Sequence, residues 1–416
     1  PDHDPTVLNS QIRKLLNYFE KRAYVGYTAT PFANIFIHEK AATEEEGDDL
    51  FPRNFIVNMP APSDYYGPEE LFKMDGSPET DAPPKLVRYI SDHAATLGIR
   101  EKNGWVPPVH KSSHLPRIDG RDELPGSLRK AILSFVLATC ARRARGEMRV
   151  PNTMLIHVTK FTNVQREVGK QVQDFVDVLE RAVCYGGETE ADGWCSELRQ
   201  LWQSDFESTS SEVGTSPSPW EDIEQHLETV VKAIKVKLIN GSAGDVLEYE
   251  KDNAPTLIAI GGDKLSRGLT LEGLTVSYFL RATTMYDTLM QMGRWFGYKP
   301  GYSDLCRIFM TRELERWYGH IAKANEELRQ DFDHMVAVGG TPRDFGHKVR
   351  SHPTLLVTSR VKMRHSKEVE IEFSGNYKTI LLKKYFKILS KKEDIISASC
   401  KRCVAEWLAR RLDRRA

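Results

Sequence analysis

Two stretches of this 416-residue chain decide its fold. The first is IGGDKLSRGLT at residues 260–270, and the second is QMGRWFG at residues 291–297. Between them lie a short apolar run at residues 274–279 and a helix-like segment that begins at residue 286. This order predicts a strand, a glycine-containing loop, a second strand and a helix that carries an arginine near its end. Short apolar strands that alternate with amphipathic helices indicate a parallel sheet covered on both faces.

The same alternation extends to both sides of these stretches. Apolar runs predict strands over residues 154–158, 256–260, 274–279 and 305–310. Helical periodicity predicts helices over residues 128–145, 164–179, 220–236, 286–295 and 313–332. Residues 23–28, AYVGYT, predict the last strand of an earlier α/β sheet, and the serine-rich segment 188–219 predicts a mobile surface insertion.

Composition divides the chain into four parts. Residues 1–60 are predicted to be the remnant of a first α/β lobe, and the proline-rich residues 61–150 a linker with a helical insertion. Residues 151–335 hold the complete strand and helix alternation and are predicted to form a second α/β lobe. Residues 336–416 are predicted to form a basic C-terminal extension of α+β character.

Bulk composition excludes some classes of protein and leaves others open. No apolar run approaches the roughly 20 residues that a membrane-spanning helix needs, and no signal-peptide pattern opens the chain. Lysine plus arginine equals aspartate plus glutamate at 58 each, so net charge neither demands nor excludes a polyanionic partner. The six cysteines show no secretory or metal-binding pattern, which predicts reduced thiols and a cytoplasmic location.

The loop after residue 260 has the composition of a turn that faces a phosphate or a ribose. Gly261 and Gly262 permit a positive φ and a close approach of the backbone to a ligand. In a parallel sheet such loops lie at the carboxyl ends of the strands, where ligands bind. A plain glycine turn after a buried strand is the alternative interpretation.

Four strings in one order resemble the Z1 domain family, a group of ATPase subunits similar to superfamily-two helicases that occur in bacterial restriction and phage-defence systems. They are AYVGYTATPFAN at residues 23–34, MLIHVT at 154–159, KLSRGLTLEG at 264–273 and QMGRWFGY at 291–298. The resemblance covers residues 6 to 332. It implies RecA-like lobes, ATP and magnesium bound between them, and movement on double-stranded DNA in a complex with a partner nuclease subunit.

The resemblance also implies roles for individual residues. Arg294 would stabilise the charge that develops on the γ-phosphate, because a guanidinium presents several donors in a fixed plane. The wider superfamily has a second arginine where Gly297 stands, and Lys299 is the candidate replacement. The nucleotide would also contact Gly261, Gly268 and Thr270. Contacts with the nucleic acid, or coupling to it, would come from Thr28, Thr30, His157, Thr159, Lys160, Gly262, Asp263, Lys264 and Arg267.

A purely structural role stays open as the alternative for several of these residues. Thr28 and Thr30 also suit a strand-ending turn before Pro31, and Thr159 with Lys160 also suits a strand-end cap beside a surface lysine. Arg294 could equally form an ion pair on a helix surface.

A phosphate-cradling string is absent from the sequence. No G-x-x-x-x-G-K-[ST] pattern occurs, and no Asp-Glu pair precedes Thr28. In the wider superfamily both lie upstream of the Thr-Ala-Thr motif. We therefore expect the chain to be a piece of a longer motor and to lack ATP hydrolysis by itself.

Two other functions compete with a DNA motor. A nuclease of the PD-(D/E)xK type is excluded in its standard form, because no lysine has Asp or Glu two positions before it. The HxK nuclease pattern is matched only loosely, at His38 with Lys40 and at His365 with Lys367. A scaffold that docks DNA or a nuclease subunit through the basic residues after Gly340 is the third possibility.

Overall fold

The fold is built around a parallel sheet whose strands alternate with helices. The computed structural model describes residues 7–37, 42–43, 46–60, 65–72, 85–239, 254–262, 270–281, 283–345, 347–358 and 363. The strands are β1 (Ala42–Thr43), β2 (Gly47–Asp48), β3 (Tyr65–Tyr66), β4 (Val87–Tyr89), β5 (Asn152–His157), β6 (Ile234–Ile239), β7 (Thr256–Gly261), β8 (Leu274–Phe279), β9 (Gly297–Tyr298) and β10 (Arg307–Met310). The helices are α1 (Val7–Asn17), α2 (Phe32–Ile35), α3 (Pro68–Leu71), α4 (Gly126–Ala144), α5 (Thr162–Tyr185), α6 (Glu188–Leu201), α7 (Ser208–Glu212), α8 (Trp220–Glu224), α9 (Leu227–Ala233), α10 (Tyr286–Met292) and α11 (Arg312–Ala337). A π-helix spans Trp202–Glu207, and a 3₁₀ turn spans Ser303–Leu305.

Six strands form the central sheet in the order β4-β10-β8-β5-β7-β6, and every pair is parallel. All six residues of β5, β7 and β8 are buried, as expected of central strands covered on both faces. The predicted α/β class with a parallel sheet is therefore confirmed. β5 lies between β7 and β8, and the chain changes direction beside it: β6 and β7 lie on one side, and β8 and β10 lie on the other.

The two faces of the sheet carry different layers. On one face Tyr278 packs against Trp105 and donates or accepts a 2.8 Å hydrogen bond with Ser127 at the start of α4. Trp105 in turn bonds to α5. On the other face Phe279 packs against Trp295 and Tyr318, which belong to the turn after α10 and to α11.

One strand of the central sheet, β6, was predicted as the end of a helix. Residues 220–236 were expected to form a single helix, but α8 and α9 occupy only its first part, and β6 follows at Ile234. The sequence IKVKLI alternates between buried and exposed side chains, and β6 pairs with β7 at the edge of the sheet. An edge strand with lysines on its open side satisfies this pattern better than a helix does.

The predicted strand at residues 23–28 is wrong. The segment is extended but pairs with no described strand, and the side chain of Tyr27 is 93% exposed. A β-prone run needs a neighbouring strand to satisfy its backbone groups, and the described residues offer it none. The chain is anchored just afterwards by Phe32, which is buried and packs on Tyr286 of α10 with ring centroids 5.7 Å apart.

The segment 188–219 is also different from its prediction. It forms α6, the π-helix and α7, and it buries Trp202 and Phe206, whose rings stack 5.2 Å apart. Asp205 joins this layer to the sheet, because its carboxylate accepts hydrogen bonds from Arg88 in β4 and from Arg307 at the start of β10. The segment is therefore part of the core and not a surface insertion.

The predicted boundary at residue 150 runs through a single folded unit. β4 pairs with β10, and Ile90 donates its backbone N–H to the carbonyl of Met310. Residues 90–125, here named the crossing segment, then pass over the carboxyl ends of the strands before α4 begins. All described residues fall in one compact unit, residues 1–366. The predicted strand at 368–373 and the rest of the C-terminal extension lie outside the described residues.

Candidate functional site

The carboxyl ends of β5, β7 and β8 form the candidate site. β5 is followed by connections to β6 and β7 on one side, while β8 lies on its other side. In open α/β sheets ligands bind in the crevice outside such a change of direction. Backbone hydrogen bonds close this edge, since the N–H groups of Leu280 and Arg281 both donate to the carbonyl of His157 at 3.1 Å.

The end of β5 presents one exposed cation beside two buried polar side chains. His157 and Thr159 are buried, whereas Lys160 is exposed. The Thr159 hydroxyl accepts the N–H of Phe161 at 3.1 Å, and the Thr159 carbonyl accepts the amide of Gln165 at 2.9 Å. These bonds fix the turn into α5, so the backbone holds Lys160 at the edge of the sheet.

The crossing segment supplies a histidine to this turn. His110 Nδ1 lies 2.6 Å from the carbonyl of Pro107, and His110 Nε2 lies 2.7 Å from the hydroxyl of Thr159. A carbonyl only accepts, so Nδ1 carries the ring proton. Burial lowers the pKa of His110, so Nε2 of the neutral ring carries no proton and accepts a hydrogen bond from the Thr159 hydroxyl.

The charged groups that act on the His110 ring are all positive. Burial lowers the pKa of His110, and the charges of His114, Arg281 and Lys160 lower it further, while its bond to Pro107 opposes the change. His110, His114, Lys160 and Arg281 are named the basic cluster. The neutral His110 contributes hydrogen bonding, and Lys160 and Arg281 contribute charge.

Gly262 permits a close approach between the ends of β5 and β7. A Cβ atom at this residue would lie 2.6 Å from Nε2 of Gln165 and 3.6 Å from Cα of Lys160. A residue without a side chain is therefore required at Gly262, as the sequence predicts for a close approach of the backbone. The predicted positive φ is wrong at both Gly261 and Gly262, because neither is among the glycines with left-handed backbone.

The structure changes the roles available to the residues predicted at β5. The His157 and Thr159 side chains are buried, and the Thr159 hydroxyl is already engaged by Phe161 and His110. They support the edge and do not reach a macromolecule outside it. Lys160 is exposed in the position that the prediction requires.

Arg294 lies in the turn after α10 and not on the helix itself. α10 ends at Met292, and the N–H of Arg294 donates to the Met292 carbonyl at 2.8 Å. The side chain is half-buried, and burial lowers its pKa from the ordinary arginine value. The next residue, Trp295, packs on Phe279 at the end of β8. This contact holds the turn near the carboxyl edge of the sheet, on the face opposite α5.

Lys299 occupies a position that does not suit its predicted contact with a nucleotide. The ammonium is buried and donates to the carbonyl of Leu274 at 2.7 Å. Leu274 is the first residue of β8, so Lys299 lies at the amino edge of the sheet. A six-residue strand spans about 20 Å, which separates Lys299 from the loops at the carboxyl edge.

The remaining predicted residues divide into described and undescribed ones. Thr28 is exposed, and its hydroxyl accepts the N–H of Thr30 at 3.1 Å. This local hydrogen bond belongs to a turn before Pro31, which is the structural alternative given above. Gly261 is the last residue of β7, and Thr270 is exposed just before β8. Asp263, Lys264, Arg267 and Gly268 lie outside the described residues, as do both loose HxK matches, which begin at His38 and His365.

Sequence reasoning missed three members of the basic cluster. His110 and His114 lie in a proline-rich stretch that was interpreted as a linker, and Arg281 follows β8 without any motif around it. The position of Arg281 directly after a buried strand was a usable signal, because that position always falls on the ligand-binding edge of a parallel sheet. No local signal marked the histidines.

The arrangement suits an anion and not a metal ion. Lys160 and Arg281 can donate to phosphate oxygens. Across the described ranges, no group of three or more His, Cys, Asp or Glu side chains is placed to hold a metal ion.

Comparison with known proteins gives one match. The family model of the Z1 domain matches residues 127–356, which is more than half of the chain. Neither the curated proteins nor the solved structures gave a significant match. The helices in the described part of the chain include none that is long and apolar enough to span a bilayer.

Proposed function

The chain belongs to the Z1 domain family, and we propose that it contributes a RecA-like lobe to an ATP-dependent DNA translocase of a bacterial restriction or phage-defence system. Membership in the family suggests a defence-system component. The motor activity is the finer proposal, and it is supported by what lies at the carboxyl edge of the sheet.

One observation carries the proposal. The basic cluster and Gly262 meet where the chain changes direction beside β5, in a sheet with the topology of a ligand-binding α/β lobe. Two cations, Lys160 and Arg281, lie near His110, and burial lowers the pKa of that histidine. Such an edge favours a polyanion whose phosphates accept from both cations.

Each member of the site has a distinct role in this proposal. Lys160 and Arg281 contact phosphates of the DNA backbone without regard to sequence. His110 and Thr159 position the turn that carries Lys160, through the 2.7 Å hydrogen bond between them. Gly262 lets the end of β7 pass close to that turn.

Arg294 is proposed to act on the nucleotide and not on the DNA. Bound ATP would supply the phosphoryl group whose transfer drives movement, and Arg294 would stabilise the charge on the γ-phosphate. Its lowered pKa follows from burial, yet an arginine stays charged at neutral pH. A half-buried guanidinium interacts more strongly with an anion than a fully hydrated one.

The DNA-binding part is tested with a duplex of arbitrary sequence. Affinity is measured by fluorescence anisotropy over a salt series for the wild-type chain, Lys160→Ala and Arg281→Ala. Removing one cation that binds a phosphate should reduce the slope of log K against log salt by about one. Lys170→Ala is the matched control, because Lys170 is an exposed lysine on α5, the helix that follows Lys160, and it pairs locally with Glu167. Unchanged slopes in both cluster variants would refute the assignment.

The ATPase part is tested separately, by turnover of ATP. DNA-stimulated ATP hydrolysis is compared between the wild type and Arg294→Ala, with Arg312→Ala as the control arginine outside the turn. Loss of an arginine that stabilises the transferring phosphoryl group typically costs 10³–10⁵ in turnover. Equal turnover would remove Arg294 from the site, and magnesium-dependent DNA cleavage by this chain alone would favour a nuclease instead.

A further inference from the structure

A small cavity lies against one face of the sheet, beside the first residues of β8 and apart from the basic cluster. It is formed between β8, β10, α3 and the segment that follows α10. Lys299, Thr275 and Trp295 line it together with apolar side chains such as Leu71 and Ile308. The empty space measures about 290 Å³ when its opening is included.

Three hydrogen-bond donors of this cavity are deeply buried. Lys299 is 8% exposed, Thr275 is 3% exposed and Trp295 is 4% exposed. Lys299 uses one of its three N–H groups on the Leu274 carbonyl. The hydroxyl of Thr275 and the indole N–H of Trp295 have no hydrogen-bond partner among the described residues. Buried polar groups of this kind nearly always have a partner.

The Lys299 ammonium lies 5.6 Å from the centre of the Tyr302 ring, which is a weak partner for a full buried charge. Among the described residues no carboxylate contacts the ammonium, and Arg142 adds a second positive charge nearby. The neighbouring Cys306 does not supply a counter-charge, because burial raises the pKa of its thiol. A buried, unpaired charge is costly, and proteins pair such charges or neutralise them.

We propose that this cavity binds a single small anion of the halide class, held by the Lys299 ammonium, the Thr275 hydroxyl and the Trp295 indole N–H. All three groups are donors, and an indole N–H can only donate. An anion accepts from all of them and balances the ammonium, whereas a water molecule would need acceptors for its own two hydrogens.

The size of the cavity limits the ligand. The empty space includes open solvent at the mouth, and the enclosed part has room for about one water-sized particle. A nucleotide therefore does not fit, and a monatomic anion does. The bound ion would fasten the segment from Trp295 to Lys299 onto the first residues of β8.

The site is tested on the wild-type chain with bromide as the probe. Crystals grown or soaked in sodium bromide should show an anomalous difference peak within hydrogen-bonding distance of Lys299 Nζ. In solution, replacing gluconate by chloride or bromide at constant ionic strength should raise the unfolding temperature by roughly 1–3 °C. Lys299→Met should lose both the peak and the shift.

Controls separate a bound ion from a general salt effect. Lys170→Met removes an exposed lysine and should keep the full anion response. If Lys299→Met does not fold, Thr275→Val gives a second variant that removes one donor with little change in shape, and it should weaken the response. No anomalous peak in the cavity, or an equal anion shift in the wild type and both cavity variants, would overturn the proposal.

Discussion

Replacing Asp205 by asparagine should destabilise the fold strongly, because one carboxylate joins three elements. Asp205 accepts hydrogen bonds from Arg307 at 2.8 Å and from Arg88 at 2.9 Å, and Lys130 lies 3.8 Å away. Arg307 is completely buried. An asparagine would leave that guanidinium without a counter-charge inside the protein.

The expected loss of unfolding free energy follows from the lowered pKa of Asp205 and from the usual cost of breaking a buried ion pair. Burial by itself would raise the pKa of Asp205, but the bond from Arg88 and the charge of Arg307 outweigh it and lower the pKa to about 2, from 3.8. That difference corresponds to roughly 2 kcal/mol of preference for the ionised carboxylate. Removing one partner of a buried pair typically costs 3–5 kcal/mol. We expect Asp205→Asn to lower the free energy of unfolding by about 3 kcal/mol.

The same pair gives a pH dependence with a defined sign. A carboxylate whose pKa is lower in the folded state stabilises the fold above its unfolded pKa. The contribution of Asp205 is therefore complete above about pH 4 and is lost as the pH falls from 3.8 towards about 2. Asp205→Asn should remove this part of the acid sensitivity.

Urea unfolding followed by circular dichroism measures both effects. The matched control is Asp122→Asn, which breaks an exposed ion pair with Arg117 and should cost less than about 1 kcal/mol. If Asp205→Asn unfolds within about 1 kcal/mol of the wild type, the segment 188–219 is not fastened to the sheet as described.

Three further substitutions test the candidate site. Gly262→Ala would place a Cβ 2.6 Å from Gln165 and displace the hydrogen bond to Thr159, so it should cost about 1–2 kcal/mol in urea unfolding. Thr159→Val keeps the shape but leaves His110 Nε2 and a backbone N–H without a partner, so it should also cost about 1–2 kcal/mol. Arg294→Lys should fail to restore the ATP turnover that Arg294→Ala abolishes, because an ammonium lacks the planar set of donors.

The two stability substitutions have controls that should remain near the wild type. Gly187→Ala meets open space in an ordinary backbone conformation, so its cost should be small. Thr229→Val removes an exposed hydroxyl that bonds locally to His226. A Gly262→Ala variant as stable as Gly187→Ala would show that the ends of β5 and β7 are not closely packed.

The sheet was predictable because burial on both faces leaves a plain sequence signal. The runs at 154–158, 256–260 and 274–279 are continuously apolar, and each became a central strand. β6 was not predictable in the same way, since an edge strand with exposed lysines resembles the end of an amphipathic helix. β4 has only three residues and lies in a stretch dominated by turn formers.

The candidate site was predictable only where it follows a strand. Lys160 and Gly262 stand just after β5 and β7, so a strand prediction places them at once. His110 lies 49 positions from Thr159 in the chain, and only tertiary packing brings the two together. The Lys299 prediction was wrong because proximity to Arg294 in sequence does not decide which edge of the sheet a side chain faces.

The pairing of β4 with β10 has a practical consequence for anyone shortening the protein. The family match begins at residue 127, whereas β4 and the crossing segment precede it. A piece trimmed to the matched residues would leave β10 with a row of unpaired backbone groups, which invites association between copies. It would also discard His110. Expression trials that follow the family boundary should therefore yield aggregated material, whereas boundaries that also keep the core residues Phe32 and Leu71 should not.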